Sequence, residues 1–177
     1  SSNQGTYIYG TLLVENGLYS SYNSSGINYR DEASGTIEIQ GGEVNVTQLR
    51  ISGAATSGYY SYIQSGGTMR VRGNGETKNS EPIFGLTDPD MVFIMSGGDI
   101  YIDATTTTGA FQVESTQGNY NVTGGHLYLN YGGTSSIYSV PPLYNITLTA
   151  NNTVNQSTDI TVLNDLLIDD NAQWNHE

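Results

Sequence analysis

A net charge of −12 on 177 residues, from 17 acidic and five basic side chains, argues against a nucleic-acid partner, which calls for a basic surface. The chain has no cysteine, so neither disulfides nor a zinc–thiolate cluster holds it together. No apolar run approaches the ~20 residues that span a bilayer, so no membrane insertion by this segment is expected, and the opening SSNQGTYIYG lacks the charged and apolar regions of a secretory leader.

In chain order, the first patterned stretch is YIYGTLLV at 7–14, read as a copy of a repeated phrase with a single glycine, Gly10. GLYSSYNSSGINYRDEASG (17–35) follows as a long polar loop. Four near-copies of one phrase come next: IEIQGGEVNV (37–46), YIQSGGTMRV (62–71), FIMSGGDIYI (93–102) and YNVTGGHLYL (120–129). A second long loop, RGNGETKNSEPIFGLTDPD (72–90), separates the second copy from the third, and a third loop, YGGTSSIYSVPPLY (131–144), follows the fourth. LYNITLTANNTV and DITVLNDLLIDDNAQW then read as strand pairs at shorter spacing. ITVLNDLLIDD has enough Leu and Ile to suggest a helix, but its β-branched approach and its Asn-Asp pair assign it to strand, and no helix is expected anywhere.

The glycine pairs Gly41-Gly42, Gly66-Gly67, Gly97-Gly98 and Gly124-Gly125 fix the alignment, with the second glycines 25, 31 and 27 residues apart. A supersecondary unit recurring at such a period predicts a solenoid, here a single-segment right-handed parallel β-helix over 1–177 with about six or seven coils and long loops. Its clearest repeats lie at 35–130 and its C-terminal coils at 143–172. A composition of 36% hydrophobic and 12% charged residues suits that architecture, because only alternate positions of short strands point inward. Two and four places after the second glycine stand Val44 and Val46, Met69 and Val71, Ile100 and Ile102, Leu127 and Leu129, predicted to stack inside. Between them Glu43, Asn45 and Thr47, Thr68, Arg70 and Arg72, Asp99, Tyr101 and Asp103, and His126, Tyr128 and Asn130 are predicted to face solvent. The glycines themselves read as sharp corners, where positive φ or close backbone approach excludes a β-carbon.

The phrases FIMSGGDIYI and YIQSGGTMRV, with LYNITLTANNTV and DITVLNDLLIDD after them, resemble the repetitive β-helical passages of very large Bacteroidetes-type surface proteins, commonly exported by the type IX route. The likeness covers about residues 35 to 172 and extends to autotransporter passengers and other β-solenoid adhesins. It implies a stalk or adhesive body at the cell surface or outside the cell, contacting neighbouring domains of its own protein, identical subunits or surface glycans. The sorting domain that ends members of that family is not visible in this sequence, which reads as an excised segment of a larger protein.

Polysaccharide lyases and polygalacturonase-like hydrolases share the β-helix, so carboxylates facing one another are the feature to seek. Glu43 and Asp99 occupy equivalent positions two coils apart, ~9.6 Å between backbones, with Thr68 between them. The paired-Asp, Gly-His-Gly and Arg-x-Lys arrangements of the hydrolases are missing, and solvated acids on a rod surface are the stronger reading. Arg72 with Asp103, and Arg70 with Asp99, are expected to form rim ion pairs. Arg70, Tyr101 and Tyr128 share one outward column and are the candidate carbohydrate-binding residues, as an aromatic ladder for sugar faces. Ladder stacking without a ligand explains the same residues.

No cofactor is expected. TDPD (87–90) and NDLLIDDN (164–171) place oxygens in turns, but neither matches a calcium loop, and His126 and His176 are too isolated for zinc or general-base chemistry. The sequence thus predicts a non-catalytic structural or adhesive segment of an extracellular, cell-surface protein. The alternatives are a carbohydrate-binding or polysaccharide-degrading β-helix, and a self-assembling filament or sheath subunit growing from its coil ends.

Overall fold

The computed structural model describes residues 5–22, 25–30, 34–52, 58–74, 77–156 and 158–176. Among these residues the protein is all-β, with no helix, and every strand pairing is parallel. One sheet of eight strands runs in the order β1 (Thr6–Ile8), β4 (Ile27–Arg30), β7 (Leu49–Ser52), β10 (Phe84–Leu86), β12 (Phe111–Val113), β14 (Thr134–Ser139), β16 (Thr153–Gln156), β18 (Gln173–His176). The second, of ten strands, contains β2 (Thr11–Val14), β3 (Leu18–Ser21), β5 (Gly35–Ile39), β6 (Glu43–Val46), β8 (Tyr60–Gln64), β9 (Thr68–Val71), β11 (Val92–Ile102), β13 (Tyr120–Leu129), β15 (Leu143–Leu148) and β17 (Val162–Ile168). The chain alternates between the two: β1 leads to β2 and β3, β4 to β5 and β6, β7 to β8 and β9, and thereafter each first-sheet strand to one strand of the second.

Period-two patterning makes these strands. In β5 the residues Gly35, Ile37 and Ile39 are buried while Thr36 and Glu38 are half-buried. The eight apolar residues that follow the glycine pairs are all buried, and each pairs with its counterpart in the next strand: Val44 with Met69, Met69 with Ile100, Ile100 with Leu127. The two sheets meet through one hydrophobic core. Its centre is aromatic: Tyr62 of the second sheet lies 5.6 Å edge-on from Phe84 of the first and 5.7 Å, stacked, from Phe93, and Phe84 stacks on Phe111 at 4.9 Å. These rings were not singled out from sequence, where only the residues after the glycines were aligned.

Two fully buried glutamines, Gln48 and Gln64, complete the interior. Gln64 sits between Ile39 and Met95 in register, fully buried, accepts the Tyr62 hydroxyl at 2.7 Å and donates to the carbonyls of Gly67 and Asp99 at 3.2 and 3.1 Å. Its amide thus answers the carbonyls that the glycine bend turns inward, satisfying groups that burial would otherwise penalise.

Each glycine pair bends the second sheet rather than joining the two sheets. β11 and β13 run straight through Gly97-Gly98 and Gly124-Gly125, with a register shift at Ser96. The second glycines take positive φ, 67° at Gly42, 63° at Gly67, 78° at Gly98 and 97° at Gly125. A β-carbon on Gly98 would come within 2.5 Å of the Gly66 carbonyl oxygen, so backbone stacking as well as φ demands glycine there.

Four sequence expectations need correction. The stretches read as loops at 17–35, 72–90 and 131–144 contain first- or second-sheet strands: β3 and β4 in the first, β10 in the second, β14 in the third. Parts of the first two, residues 23–24, 31–33 and 75–76, lie outside the described residues. The earliest copy of the phrase is marked by Gly17, not Gly10: Gly17 has φ 82° and its carbonyl accepts the Glu43 amide at 2.8 Å, as the Gly42 carbonyl accepts that of Thr68. Asn45 and Thr47 are buried, at 8% and 0% exposure; Thr47 donates to the Tyr22 carbonyl and accepts from the Asn74 amide, and Asn45 donates to Glu43. The fourth correction, to the ion pairs, is taken up with the site.

Candidate functional site

The outward residues of the second sheet form two columns at fixed register. Glu43, Thr68, Asp99, His126, Asn145 and Asp165 make one, and Asn45, Arg70, Tyr101, Tyr128, Thr147 and Leu167 the other. They point outward because their strand neighbours fill the core, and side chains alternate faces.

Along the second column the side chains are in contact. The Arg70 guanidinium carbon lies 4.2 Å from the Tyr101 ring centroid, and Tyr101 stacks on Tyr128 at 4.4 Å and 4°. Tyr128 is also stacked with His126, at 4.0 Å and 10°, and His126 Nε2 lies 2.7 Å from the Thr147 hydroxyl on β15. The order is therefore Arg70, Tyr101, Tyr128, His126, Thr147, and each tyrosine is covered on both faces. Solvent meets the ring edges and phenol hydroxyls.

Ion pairing fixes the start of the column. Arg70 Nη1 bonds Asp103 Oδ2 at 2.8 Å, whereas Arg72 reaches Glu43 at 3.9 Å. Neither arginine takes the partner expected from sequence: Arg70 has Asp103 in place of Asp99, and Arg72 has Glu43 in place of Asp103. Arg70 lies flat over Tyr101, which carries its guanidinium along β11 to Asp103, two residues beyond that ring; Arg72 is left for Glu43 and the Tyr22 ring, 5.9 Å away. Asp103 also accepts from Asn130 at 3.3 Å, and Asn130 accepts from Thr149 at 2.9 Å, so a polar chain runs beside the aromatic one.

The imidazole of His126 is held below its ordinary value of 6.5, chiefly because its partly covered site disfavours the charged form; Asp99 and Asp165 in its own column oppose that effect. A lowered folded-state value means that the unfolded chain binds the proton first as pH falls. The contribution of His126 to stability is therefore complete above pH 6.5 and is lost as pH descends through the folded value. The thermal midpoint of the wild type minus that of His126→Phe, which keeps a ring without a titrating group, is expected to shrink between pH 7 and pH 5. A difference that stays level, or grows, would contradict this geometry.

The acids considered for catalysis are placed as the alignment predicts, Glu43 and Asp99 in one column with Thr68 between. Glu43 accepts the Asn45 amide at 2.8 Å besides meeting Arg72. In the TDPD turn, Asp88 Oδ1 accepts the Asp90 backbone amide at 2.9 Å, so that carboxylate closes the turn on itself. Among the described residues no three His, Asp or Glu side chains converge as metal ligands would. His176 lies 3.3 Å from Asp159, far along the chain from His126.

Sequence reasoning passed over Arg50. Its side chain is buried, 4% exposed, and it pairs with Glu81 at 2.7 Å. A strand-length phrase, LRIS, carries it on β7 outside the glycine-marked copies, so no alignment drew it out.

No protein-family model, no curated protein and no solved structure matches the chain.

Proposed function

We propose that the chain winds as a right-handed parallel β-helix of about six or seven coils and serves as a non-catalytic structural or adhesive segment of an extracellular, cell-surface protein of the Bacteroidetes type. The alternation between two all-parallel sheets, each strand pairing with its counterparts before and after, supports the winding. The observation that carries the non-catalytic, structural reading is the self-covering column. A sugar platform needs an open ring face and a hydrolase needs converging acids. Here Arg70, Tyr101, Tyr128 and His126 cover one another, and Glu43 is engaged by Asn45 and Arg72. The column acts as an external clasp that holds successive strands in register.

A double-mutant cycle on Tyr101→Ala and Tyr128→Ala tests this. A coupling of about 0.5–1.5 kcal/mol by chemical denaturation is expected, with binding to a glycan panel unchanged by either substitution. The second reading, Tyr101 and Tyr128 with Arg70 as the carbohydrate site, is favoured if wild-type binding to any glycan disappears in the double variant while the denaturation midpoint stays put.

A further inference from the structure

The outer face of the first sheet has its own column, in which Asn28, Arg50, Gly85, Gln112 and Tyr138 follow one another at matched register. Gly85 breaks it. Neither φ nor crowding requires glycine at this position: its backbone is not in the left-handed region, and an added β-carbon would meet nothing nearer than Pro82 at 3.4 Å. Beside it lies a cavity of about 260 Å³, lined by Gly85, Arg50, Glu81, Thr87, Thr108 and Gln112, with Pro82 and Ile51 as its apolar part.

The walls are built. The segment 78–82 that closes one side is held from below by fully buried Gln48, whose amide donates to the carbonyls of Lys78 and Pro82 at 3.1 and 3.0 Å and whose oxygen accepts the Lys78 amide at 3.0 Å. From the other side Thr106 donates to the Glu81 carbonyl at 2.7 Å, and Thr107 and Thr108 donate to that of Asn79 at 2.6 and 3.0 Å. Arg50 is nine-tenths buried, anchors Glu81 through Nη1, and keeps its Nε with no hydrogen-bond partner.

The chemistry of this lining selects its occupant. Arg50 and Glu81 cancel each other's charge at 2.7 Å, so the lining offers no unpaired charge to an ionic ligand, and the chain's net charge of −12 further disfavours an anion. What remains is an acceptor-only carboxylate, a donor-only guanidinium, the Thr87 hydroxyl, the acceptor side of a Thr108 hydroxyl that donates to Asn79, and a Gln112 amide with one N–H given to Glu114, all beside a proline ring. That pattern matches the alternating hydroxyls and C–H faces of an uncharged sugar ring, and the volume admits one such ring.

We propose that the gap over Gly85, between Arg50 and Gln112, is a binding pocket for one neutral hexose or N-acetylhexosamine unit. It gives the adhesive role proposed above a site on the opposite sheet from the tyrosine column, and it rests on that reading for its purpose but not for its test.

The test titrates the 177-residue chain with neutral mono- and oligosaccharides of glucose, galactose, mannose and their N-acetylhexosamines, and with uronic-acid oligosaccharides, by calorimetry and saturation-transfer NMR. At least one neutral sugar is expected to bind. Gly85→Leu, which fills the gap, should abolish that binding, and Gln112→Ala and Thr108→Ala should each weaken it about 3- to 10-fold by removing one hydrogen bond. Tyr101→Ala should leave it unchanged, which separates this pocket from the column. Binding of the monosaccharide alone marks a free sugar as ligand; binding only of oligosaccharides marks a unit within a glycan. The proposal is overturned if no neutral sugar binds, if only the uronic acids do, or if binding survives Gly85→Leu. Should Gly85→Leu fail to fold, unchanged affinity in both Gln112→Ala and Thr108→Ala overturns it as well.

Discussion

Phe84→Ala is expected to destabilise the protein by about 3–5 kcal/mol, read as a lower denaturation midpoint with an unchanged slope. Phe84 is fully buried and its ring is the meeting point of the two sheets: stacked on Phe111 within its own sheet and set edge-on against Tyr62 of the other. Deleting the ring removes its transfer free energy and also leaves a void that β10 cannot close, because that strand is pinned between β7 and β12. The damage should spread to Tyr62, whose hydroxyl orients Gln64 under the glycine bend. Phe84→Leu, which keeps most of the volume, should cost clearly less. A loss below about 1 kcal/mol for alanine would mean that the aromatic centre is not packed as described.

Gly98→Val is the second large effect. Left-handed backbone costs an L-residue roughly 1–2 kcal/mol, and forcing a branched side chain into a closed contact adds about 1–3 kcal/mol. Both terms apply at Gly98, with φ 78° and the Gly66 carbonyl oxygen 2.5 Å from where the β-carbon would sit. Relief by local movement is blocked, since the obstacle is the backbone of the preceding strand pair, itself bonded through Gly67 to Asp99. Gly10→Ala is the control: nothing lies within 4 Å of a β-carbon there and its φ is unrestricted, so its midpoint should match the wild type. Equal effects at both positions would sink the argument.

The contrast between those glycines shows what the sequence can disclose. Alternation after a fixed marker made the inward residues Val44 to Leu129 legible, because period two and a shared landmark are both local signals. The first sheet had no landmark. Most of its strands are three or four residues long, and β4, β10 and β14 lie inside Gly-, Ser- and Pro-rich stretches that read as loops. At the start of the chain a lone glycine could be Gly10 or Gly17, and only the ladder bond to Glu43 decides. The column of Arg70, Tyr101 and Tyr128 was foreseen in register; that its rings close on one another through His126 depends on side-chain direction, which spacing does not encode. Buried Gln48 and Gln64 defeat polarity-based reading altogether, since they are satisfied by carbonyls that bends and turns expose, those of Pro82 and Asp99 lying 34 and 35 residues away. Arg50 hides for the same reason: its partner Glu81 lies 31 residues away.

The pairing order of the sheets has a mechanical side. Strands are bonded to their counterparts in the turns of chain before and after them, β11 spanning both β8 and β9 on one side, and parallel ladders place those bonds across the strands, along the direction in which the sheets grow. Tension applied at the two termini therefore never loads all the ladders together; it peels the outermost strand and passes to the next. In the 177 residues pulled by themselves, peeling should begin at β17 and β18, where Leu163, Leu166, Leu167 and Ile168 are exposed and little apolar contact resists it. It should stall at β11 and β13, the longest strands, clasped from outside by the stacked tyrosines and from inside by the aromatic core. Under load the molecule behaves as a reel with a locked hub, paying out chain from its ends while the centre keeps its shape.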